Sequence, residues 1–215
     1  MAVEVKICGI NTAEAMAAAI GGGAGLVGLV FYPPSPRYLG PTQAAALASR
    51  VPPGVARVGL FVDPDDALLS TVLEQVPIEL IQLHGSEAPG RVAAISGQFG
   101  RPVMKAIKVA EPEDLEAASR YLEVADRLLF DAKPPKHMTD ALPGGNAVTF
   151  DWRLLAGRTW RRPWMLSGGL DPDNLAEAVE ISGARAVDVS SGVEDRPGLK
   201  DPAKIAAFLE TARAL

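Results

Sequence analysis

The feature that most constrains the fold is an eightfold recurrence of a short apolar run followed by an alanine-rich or leucine-rich stretch. The apolar runs begin near residues 3, 26, 56, 80, 103, 126, 163 and 186, and five of the seven intervals between them span 23 or 24 residues. A nearly constant interval is typical of a repeated supersecondary unit. Because the runs predict strands and the stretches have helical period, we expect eight strand-helix units. The two longer intervals hold loop insertions.

Helix boundaries are indicated by capping residues. Asp-Pro occurs at Asp63, Asp171 and Asp201, which predicts a capping carboxylate before a proline in the first helical position. Asn11, with Glu14 three residues later, resembles a capping box. These signals and the helical period predict helices over residues 12–20, 42–50, 65–76, 86–96, 112–122, 151–156, 172–182 and 202–213.

The polarity of the strands distinguishes the two folds that such units can form. Alternating strands and helices imply parallel pairing, either in an open doubly wound sheet or in a closed barrel. Central strands of an open sheet lie under helices on both faces and are apolar throughout. Here polar residues, among them Lys6, Gln82 and Asp188, occupy alternate strand positions. A barrel lumen accommodates them, so we expect a single α/β domain over residues 1–215, a (β/α)8 barrel.

Composition limits the partners of this barrel. The chain has 215 residues, of which 48% are hydrophobic and 22% charged, as in ordinary globular proteins. A net charge of −5 without a basic run argues against binding to nucleic acid. The apolar runs are too short to span a membrane. The single cysteine excludes an internal disulfide, and the first nine residues do not have the apolar core of a signal peptide. We therefore expect a cytoplasmic protein, as a monomer or a homodimer.

Two candidate catalytic residues end predicted strands, where barrels of this type place their active sites. Cys8 ends the first strand and lies on the same face of the strand as Lys6, whose positive charge favours a thiolate. The alternative is a core residue, because a lone cysteine in an apolar run is commonly buried. Asp131 ends the apolar sixth strand, where a carboxylate needs a partner. It is interpreted as a general acid, and the alternatives are a carboxylate that caps the next loop or one that is paired with Lys133.

Candidate binding residues fall at the same end of the barrel. Arg37 follows the second strand, and its planar guanidinium suits a carboxylate or phosphate unless it is a surface arginine. Gln82 and His84 share the lumen face of strand four and are assigned to binding, with a structural histidine as the alternative. Small residues after strands seven and eight predict an anion-binding cradle of backbone N–H groups, although glycines also end strands for conformational reasons. They are Gly168, Gly169, Ser190, Ser191 and Gly192.

No metal site is predicted. The chain has two histidines and one cysteine, and they show no spacing typical of metal ligands. His137, in the long loop after strand six, is therefore not assigned to a metal.

Short motifs along essentially the whole chain resemble those of the phosphoribosylanthranilate isomerase family. Each motif is weak alone, and their joint occurrence in this order is specific. The motifs are Lys6–Gly9, Ser35–Arg37, Gln82–Gly85, Asp131, Gly144–Gly145, Phe150–Trp152, Ser167–Leu170 and Asp188–Glu194.

The resemblance implies an Amadori rearrangement in tryptophan biosynthesis, from N-(5-phosphoribosyl)anthranilate to 1-(2-carboxyphenylamino)-1-deoxyribulose 5-phosphate, without a cofactor. It implies that Asp131 protonates the furanose oxygen, that Cys8 removes the proton from C2, and that Arg37 binds the anthranilate carboxylate. The substrate phosphate would lie over the glycines and serines of the cradle. The expected substrate-binding residues are thus Arg37, Gln82, His84, Gly168, Gly169, Asp188, Ser190, Ser191 and Gly192.

The loop after strand six departs from the family pattern. Gly-Gly-Thr-Gly is usual there, whereas this chain has Gly144-Gly145-Asn146-Ala147, and an alanine at a position of positive φ would be strained. We still expect the 19-residue insertion over residues 132–150 to close over the substrate, because long insertions in compact barrels are usually functional. Equal proteolysis with and without a product analogue would contradict that expectation.

Three other functions remain open at this point. An indole-glycerol-phosphate synthase-like lyase or a histidine-pathway isomerase would share the phosphate cradle, but the latter would be expected to use two aspartates where this chain has Cys8 and Asp131. A non-catalytic phosphosugar-binding barrel would have no need of this pair.

Overall fold

Eight parallel strands close into a barrel in the order in which they occur in the chain, with the first strand hydrogen-bonded to the eighth. The structure, a computed structural model, describes residues 3–135, 138 and 142–215. The predicted (β/α)8 barrel is confirmed, and each strand begins within one residue of its predicted start. The strands are β1 Glu4–Cys8, β2 Leu26–Val30, β3 Ala56–Phe61, β4 Leu80–Leu83, β5 Val103–Val109, β6 Arg127–Ala132, β7 Trp164–Leu166 and β8 Ala186–Val189.

Helices cover the outside of the barrel, and a two-stranded antiparallel hairpin precedes the last one. The helices are α1 Ala13–Gly21, α2 Pro41–Ala48, α3 Asp66–Gln75, α4 Pro89–Phe99, α5 Pro112–Ala118, α6 Leu175–Ser182 and α7 Pro202–Arg213. The hairpin consists of β9 Glu194–Arg196 and β10 Leu199–Lys200.

Side chains along each strand point alternately outward, under the helices, and inward, into the lumen, so the barrel has two separate hydrophobic cores. Outward-facing residues such as Ile7 and Ile81 are fully buried in the large core under the helices. Apolar residues fill the closed end of the lumen, with Val58, Met104 and Leu129 at its centre. Polar residues occupy the lumen above them, as their alternation predicts. Among the described residues, no helix is both long and apolar enough to cross a membrane.

The predicted caps are only partly correct. Asp201 accepts hydrogen bonds from the first backbone N–H groups of α7, as expected. Asp63 is not a cap, because its φ is +45°, and α3 is capped by Asp65 instead. The capping box at Asn11 is also wrong: the side chain of Thr12 caps α1, while the Asn11 amide donates to the distant Gly198 carbonyl.

Three predicted helices are shorter than expected. After α5 the chain continues as one 3₁₀ turn at Ser119–Tyr121, and the segment predicted over 151–156 forms a 3₁₀ turn at Trp152–Leu154. A segment this short gains too few intrahelical bonds to form an α-helix alone, and packing of Trp152 against the core supports a single turn. Asp171 caps a turn, so α6 begins only at Leu175.

Candidate active site

A pocket of about 730 Å³, including its open mouth, lies at the C-terminal ends of the strands. It brings together most of the residues predicted from the sequence, contributed by six different strands or the loops that follow them. Gln82 and Gly192 are the two predicted residues that do not line it among the described residues. The predicted residues in the lining are Cys8, Arg37, His84, Asp131, Gly168, Gly169, Asp188, Ser190 and Ser191.

Cys8 lies in the lumen beside the ammonium of Lys6. Gly28 on β2 leaves the space for both, because a Cβ there would lie 2.9 Å from Sγ and 3.2 Å from Nζ. Burial raises the pKa of the Cys8 thiol above its ordinary value, although Lys6 acts in the opposite direction. The charge of Lys6 favours the thiolate, as expected from the sequence, but desolvation of the thiolate outweighs this attraction.

Lys6 is held by a carboxylate from the last strand of the barrel. Its Nζ donates to Asp188 Oδ1 at 2.7 Å, and Ser167 Oγ donates to the other carboxylate oxygen at 3.0 Å. Burial is the largest single influence on the pKa of the fully buried Lys6 and lowers it, but the charges and hydrogen bonds of Asp188 and Cys8 together raise that pKa above its ordinary value. A fixed ion pair thus lies directly beneath the thiol.

Asp131 is paired with a histidine. His84 Nε2 lies 3.0 Å from Asp131 Oδ2, and Gln82 Nε2 lies 2.9 Å from His84 Nδ1. The alternative pairing of Asp131 with Lys133 is wrong, because Lys133 binds Asp114 at 2.7 Å. Gln82 is fully buried below His84, so its side chain can contact the histidine but not a ligand in the pocket.

Arg37 is buried and is not a surface arginine. Its Nε and Nη2 donate to the two carboxylate oxygens of Glu194 at 2.7 and 2.8 Å, and Nη2 also donates to the Gly145 carbonyl at 3.2 Å. Within the described part of the chain, Nη1 has no such partner. One edge of the guanidinium is therefore fixed by protein, and the Nη1 side is available to a ligand.

Glu194 and Lys200 are site residues that sequence reasoning missed. Lys200 Nζ donates to Glu194 at 2.7 Å and to the Ser190 carbonyl at 2.9 Å. Burial lowers the pKa of Lys200 to about 8, although Glu194 opposes this. Burial opposes the charge of Glu194 as well, but Arg37 and Lys200 together lower its pKa. Glu194 ends a motif quoted above, whereas no local pattern marks Lys200, which reaches the site through the β9–β10 hairpin.

The glycines after β7 are required by their geometry. Gly168 has φ +92°, and a Cβ there would lie 2.6 Å from the Ala132 nitrogen. Gly169 has φ +61° and would meet Thr149 at 2.6 Å. Gly192 has a different role. A Cβ at this position would clash with the Leu170 carbonyl, so the glycine lets the turn after β8 pack against the turn after β7. The first two glycines therefore let the turn after β7 pack closely against Ala132 and Thr149 while it lines the pocket.

The loop over residues 142–148 forms one wall of the pocket. The strain expected at its fourth motif position is present, because Ala147 has φ +54°. The Asn146 side chain accepts from the Leu142 N–H at 3.0 Å and donates to the Leu142 carbonyl at 2.7 Å, which ties the loop to itself. Closure of this loop over a ligand stays a prediction.

A metal was not expected, and the described residues contain no cluster of three or more His, Cys, Asp or Glu side chains suited to one. His137 lies outside the described residues.

Comparison with known proteins identifies the family. A family model described as N-(5'-phosphoribosyl)anthranilate (PRA) isomerase matches residues 5–211. N-(5'-phosphoribosyl)anthranilate isomerase of Rhodospirillum centenum is 64% identical over the full length of both chains. The isomerase of Paramagnetospirillum magneticum is 62% identical over 99% of this chain and 98% of its own.

Solved structures agree. Phosphoribosyl anthranilate isomerase from Thermotoga maritima is 39% identical, with a TM-score of 0.88 over 99% of this chain and 100% of its own. A structure of the isomerase in complex with reduced 1-(o-carboxyphenylamino)-1-deoxyribulose 5-phosphate is 36% identical, with a TM-score of 0.84 over 99% of this chain and 100% of its own. The chain belongs to the N-(5'-phosphoribosyl)anthranilate isomerase family.

Proposed function

We propose that the chain catalyses the Amadori rearrangement of N-(5-phosphoribosyl)anthranilate in tryptophan biosynthesis, with Cys8 as general base and Asp131 as general acid. The observation that carries the proposal is that a buried thiol and a histidine-bound carboxyl line one pocket together with Arg37 and the glycines after β7. The related complex described above holds a ligand with both a carboxylate and a phosphate, the two groups that this pocket would have to bind.

Substrate binding divides between the two sides of the pocket. The anthranilate carboxylate would approach Nη1 of Arg37, because Glu194 already occupies the Nε edge of the guanidinium. The phosphate would lie over Gly168, Gly169 and the serines after β8, where backbone N–H groups can approach closely. Anchoring both ends of the substrate orients the sugar carbons between Cys8 and Asp131.

The first chemical step opens the ring. Asp131 gives a proton to the furanose oxygen, the bond from that oxygen to C1 breaks, and the nitrogen lone pair forms a C=N bond to C1. The substrate becomes an iminium ion, and Asp131 becomes a carboxylate. The hydrogen bond from His84 to Oδ2 would stabilise that negative charge.

The second step removes the proton from C2. The thiolate form of Cys8 takes this proton, and the electron pair of the C–H bond forms an enamine with C1. In the tautomerisation that follows, the Cys8 thiol gives its proton to C1 and the C2 hydroxyl gives its proton to the Asp131 carboxylate. The enamine becomes the ketone, and the thiolate of Cys8 and the acid of Asp131 are restored. Acid and base need opposite environments, which separate strands of one barrel provide.

The oligomeric state expected from the sequence, a monomer or a homodimer, stays a prediction. A cytoplasmic location, expected from the sequence, is part of the same proposal.

A direct assay tests the proposal. Freshly generated phosphoribosylanthranilate should lose its fluorescence on addition of the protein. In Cys8→Ala and Asp131→Asn, we expect kcat to fall by about 10²- to 10⁴-fold, because each variant loses one proton-transfer group. Affinity for a reduced product analogue, measured by calorimetry, should change little.

The matched control is Asp66→Asn, which removes an exposed carboxylate that pairs with Arg91 outside the pocket. It should turn over at the parent rate. Parent-like turnover in either catalytic variant would reject that residue's role. Analogue binding by the parent protein without any turnover would instead favour the non-catalytic phosphosugar-binding barrel.

A further inference from the structure

A row of three side chains connects the closed interior of the barrel to the pocket. Fully buried Gln82 lies below His84, and His84 contacts Asp131 at the pocket wall. We propose that Gln82 is a positioning residue: it holds His84 in the tautomer with its proton on Nε2, so that Oδ1 of Asp131 is the oxygen that carries the catalytic proton. The second half of this inference rests on the proposed role of Asp131.

The tautomer follows from the chemistry of an amide. Gln82 presents Nε2 to His84 Nδ1 at 2.9 Å, and an amide nitrogen only donates hydrogen bonds. Nδ1 must therefore accept, which leaves the single proton of a neutral imidazole on Nε2. That proton points to Asp131 Oδ2, 3.0 Å away.

The tautomer in turn distinguishes the two oxygens of Asp131. Oδ2 accepts from His84, so a proton on the carboxyl group resides on Oδ1, and no described residue donates to Oδ1 in a hydrogen bond. Because Asp131 lines the pocket, this is the proton that the proposed mechanism gives to the substrate. With the opposite tautomer, the lone pair of Nε2 would accept the carboxyl proton and direct it away from the substrate.

The surroundings leave Gln82 as the group that selects the tautomer. Lys105, which donates to the carbonyl of Gly85 next to His84 at 2.8 Å, is already paired with Glu87 at 2.8 Å. Lys105 therefore holds the backbone after β4 and makes no hydrogen bond with Nδ1 of His84. Among the described residues, the only side chain hydrogen-bonded to Nδ1 is Gln82.

An unpaired atom supports a specific role for this amide. Gln82 Oε1 is buried, and none of the residues in the described part of the chain donates to it. A buried acceptor without a partner is destabilising, and a methionine would fill a similar volume without that penalty. An amide at this position is therefore better explained by its hydrogen bond to His84 than by packing.

The decisive measurement is nitrogen-15 NMR of the ligand-free protein at neutral pH, in which couplings to the ring C–H protons identify the protonated nitrogen. His84 and His137 are the only histidines in the chain, so His137→Asn assigns the signals. We expect Nδ1 of His84 to be unprotonated and Nε2 to be protonated. A proton on Nδ1 would overturn the proposal, because Gln82 would then present its oxygen.

Two variants test the consequence for turnover. Gln82→Met keeps the volume and removes the hydrogen bond, so His84 should populate both tautomers and kcat should fall about tenfold. Gln82→Glu places an acceptor at Nδ1, so the proton should move there and kcat should fall further. KM should stay at the parent value in both variants, because Gln82 does not reach the pocket.

Gln43→Met and Gln43→Glu, at an exposed position of α2, are the matched controls and should not alter the His84 signals. Unchanged tautomer and unchanged kcat in both Gln82 variants would contradict the proposal. A purely structural role would alter the melting temperature and KM while preserving the tautomer. The NMR result needs no turnover, so an inactive parent protein would reject the proposed function without affecting the test of the tautomer.

Discussion

At the scale of single residues, the surroundings of Cys8 differ from what its neighbours in the chain indicate. Lys6 lies two residues away and favours the thiolate, as the sequence predicts. Burial and the more distant Asp188 act in the opposite direction, and burial is the strongest influence on the pKa of the thiol. Cys8 of the ligand-free protein is therefore a thiol at neutral pH, and the thiolate that its proposed role as base requires is a minority form.

This predicts a pH dependence. Because the pKa of Cys8 is raised, the rate of alkylation by iodoacetamide should still be rising above pH 9, and kcat/KM should rise with it. Asp188→Asn should move the alkylation profile to lower pH, because it removes a negative charge that disfavours the thiolate. Mass spectrometry suffices as the readout, since Cys8 is the only cysteine. A half-maximal rate below about pH 8.5 would contradict the prediction.

At the scale of elements, the loop over residues 142–148 combines a strained backbone with a contact to Arg37, the arginine proposed to bind the anthranilate carboxylate. Gly145 has φ +77°, and a Cβ there would lie 2.6 Å from Arg37 Nη1. Ala147 also has positive φ but carries a side chain. Both positions therefore have a left-handed backbone. Gly145 has no room for a side chain, whereas Ala147 carries one and is strained.

Substitutions at these two positions should have opposite effects. Ala147→Gly should raise the free energy of unfolding by about 0.5–1 kcal/mol, because relief of the left-handed strain exceeds the entropy gained by the unfolded chain. Gly145→Ala should lower it by at least about 1 kcal/mol and raise KM, because the new methyl group displaces Arg37. Urea denaturation measures both. An Ala147→Gly variant less stable than the parent would show that the side chain makes a stabilising contact.

At the scale of the whole molecule, barrel closure supplies partners for charges that would otherwise be too costly to bury. Lys6 on β1 meets Asp188 on β8, Lys105 on β5 meets Glu87, and Glu194 meets both Arg37 and Lys200. Removal of one member of such a pair leaves an unpaired buried charge, which typically destabilises a protein by about 3–5 kcal/mol. These buried charges are therefore tolerated only while every one of them keeps its partner.

Lys200 gives this set a measurable pH dependence. Its pKa is about 8 in the folded protein, whereas a lysine in an unfolded chain titrates near 10.4. Between these values the unfolded chain still holds a proton that the folded protein has released, so the contribution of Lys200 to stability rises with pH. The stability of the parent relative to Lys200→Met should therefore increase by about 2 kcal/mol between pH 7 and 9.5.

Urea denaturation across this pH range measures the difference, and Lys204→Met controls for the loss of one exposed positive charge. A difference between parent and Lys200→Met that does not change with pH would contradict the lowered pKa.

The sequence by itself determined the repeat of eight units and the lumen face of the strands. It also determined that Cys8 and Asp131 lie at strand ends and that Arg37 lies in the loop after the second strand. These features depend on periodicity and on the rule that barrel sites lie at the C-terminal ends of strands, and both can be read from neighbouring residues. The same local information misplaced the cap of α1, because the pairing of Asn11 with Gly198 depends on residues far apart in the chain.

Only the tertiary structure decided which groups meet in the site. Arg37 and Glu194 are 157 residues apart in sequence, and His84 and Asp131 are 47 apart, so no local pattern pairs them. The direction of the pKa shift of Cys8 and the burial of Gln82 below His84 also depend on how completely the barrel excludes water. Burial and long-range pairing are properties of the closed barrel, whereas periodicity belongs to each strand and helix separately.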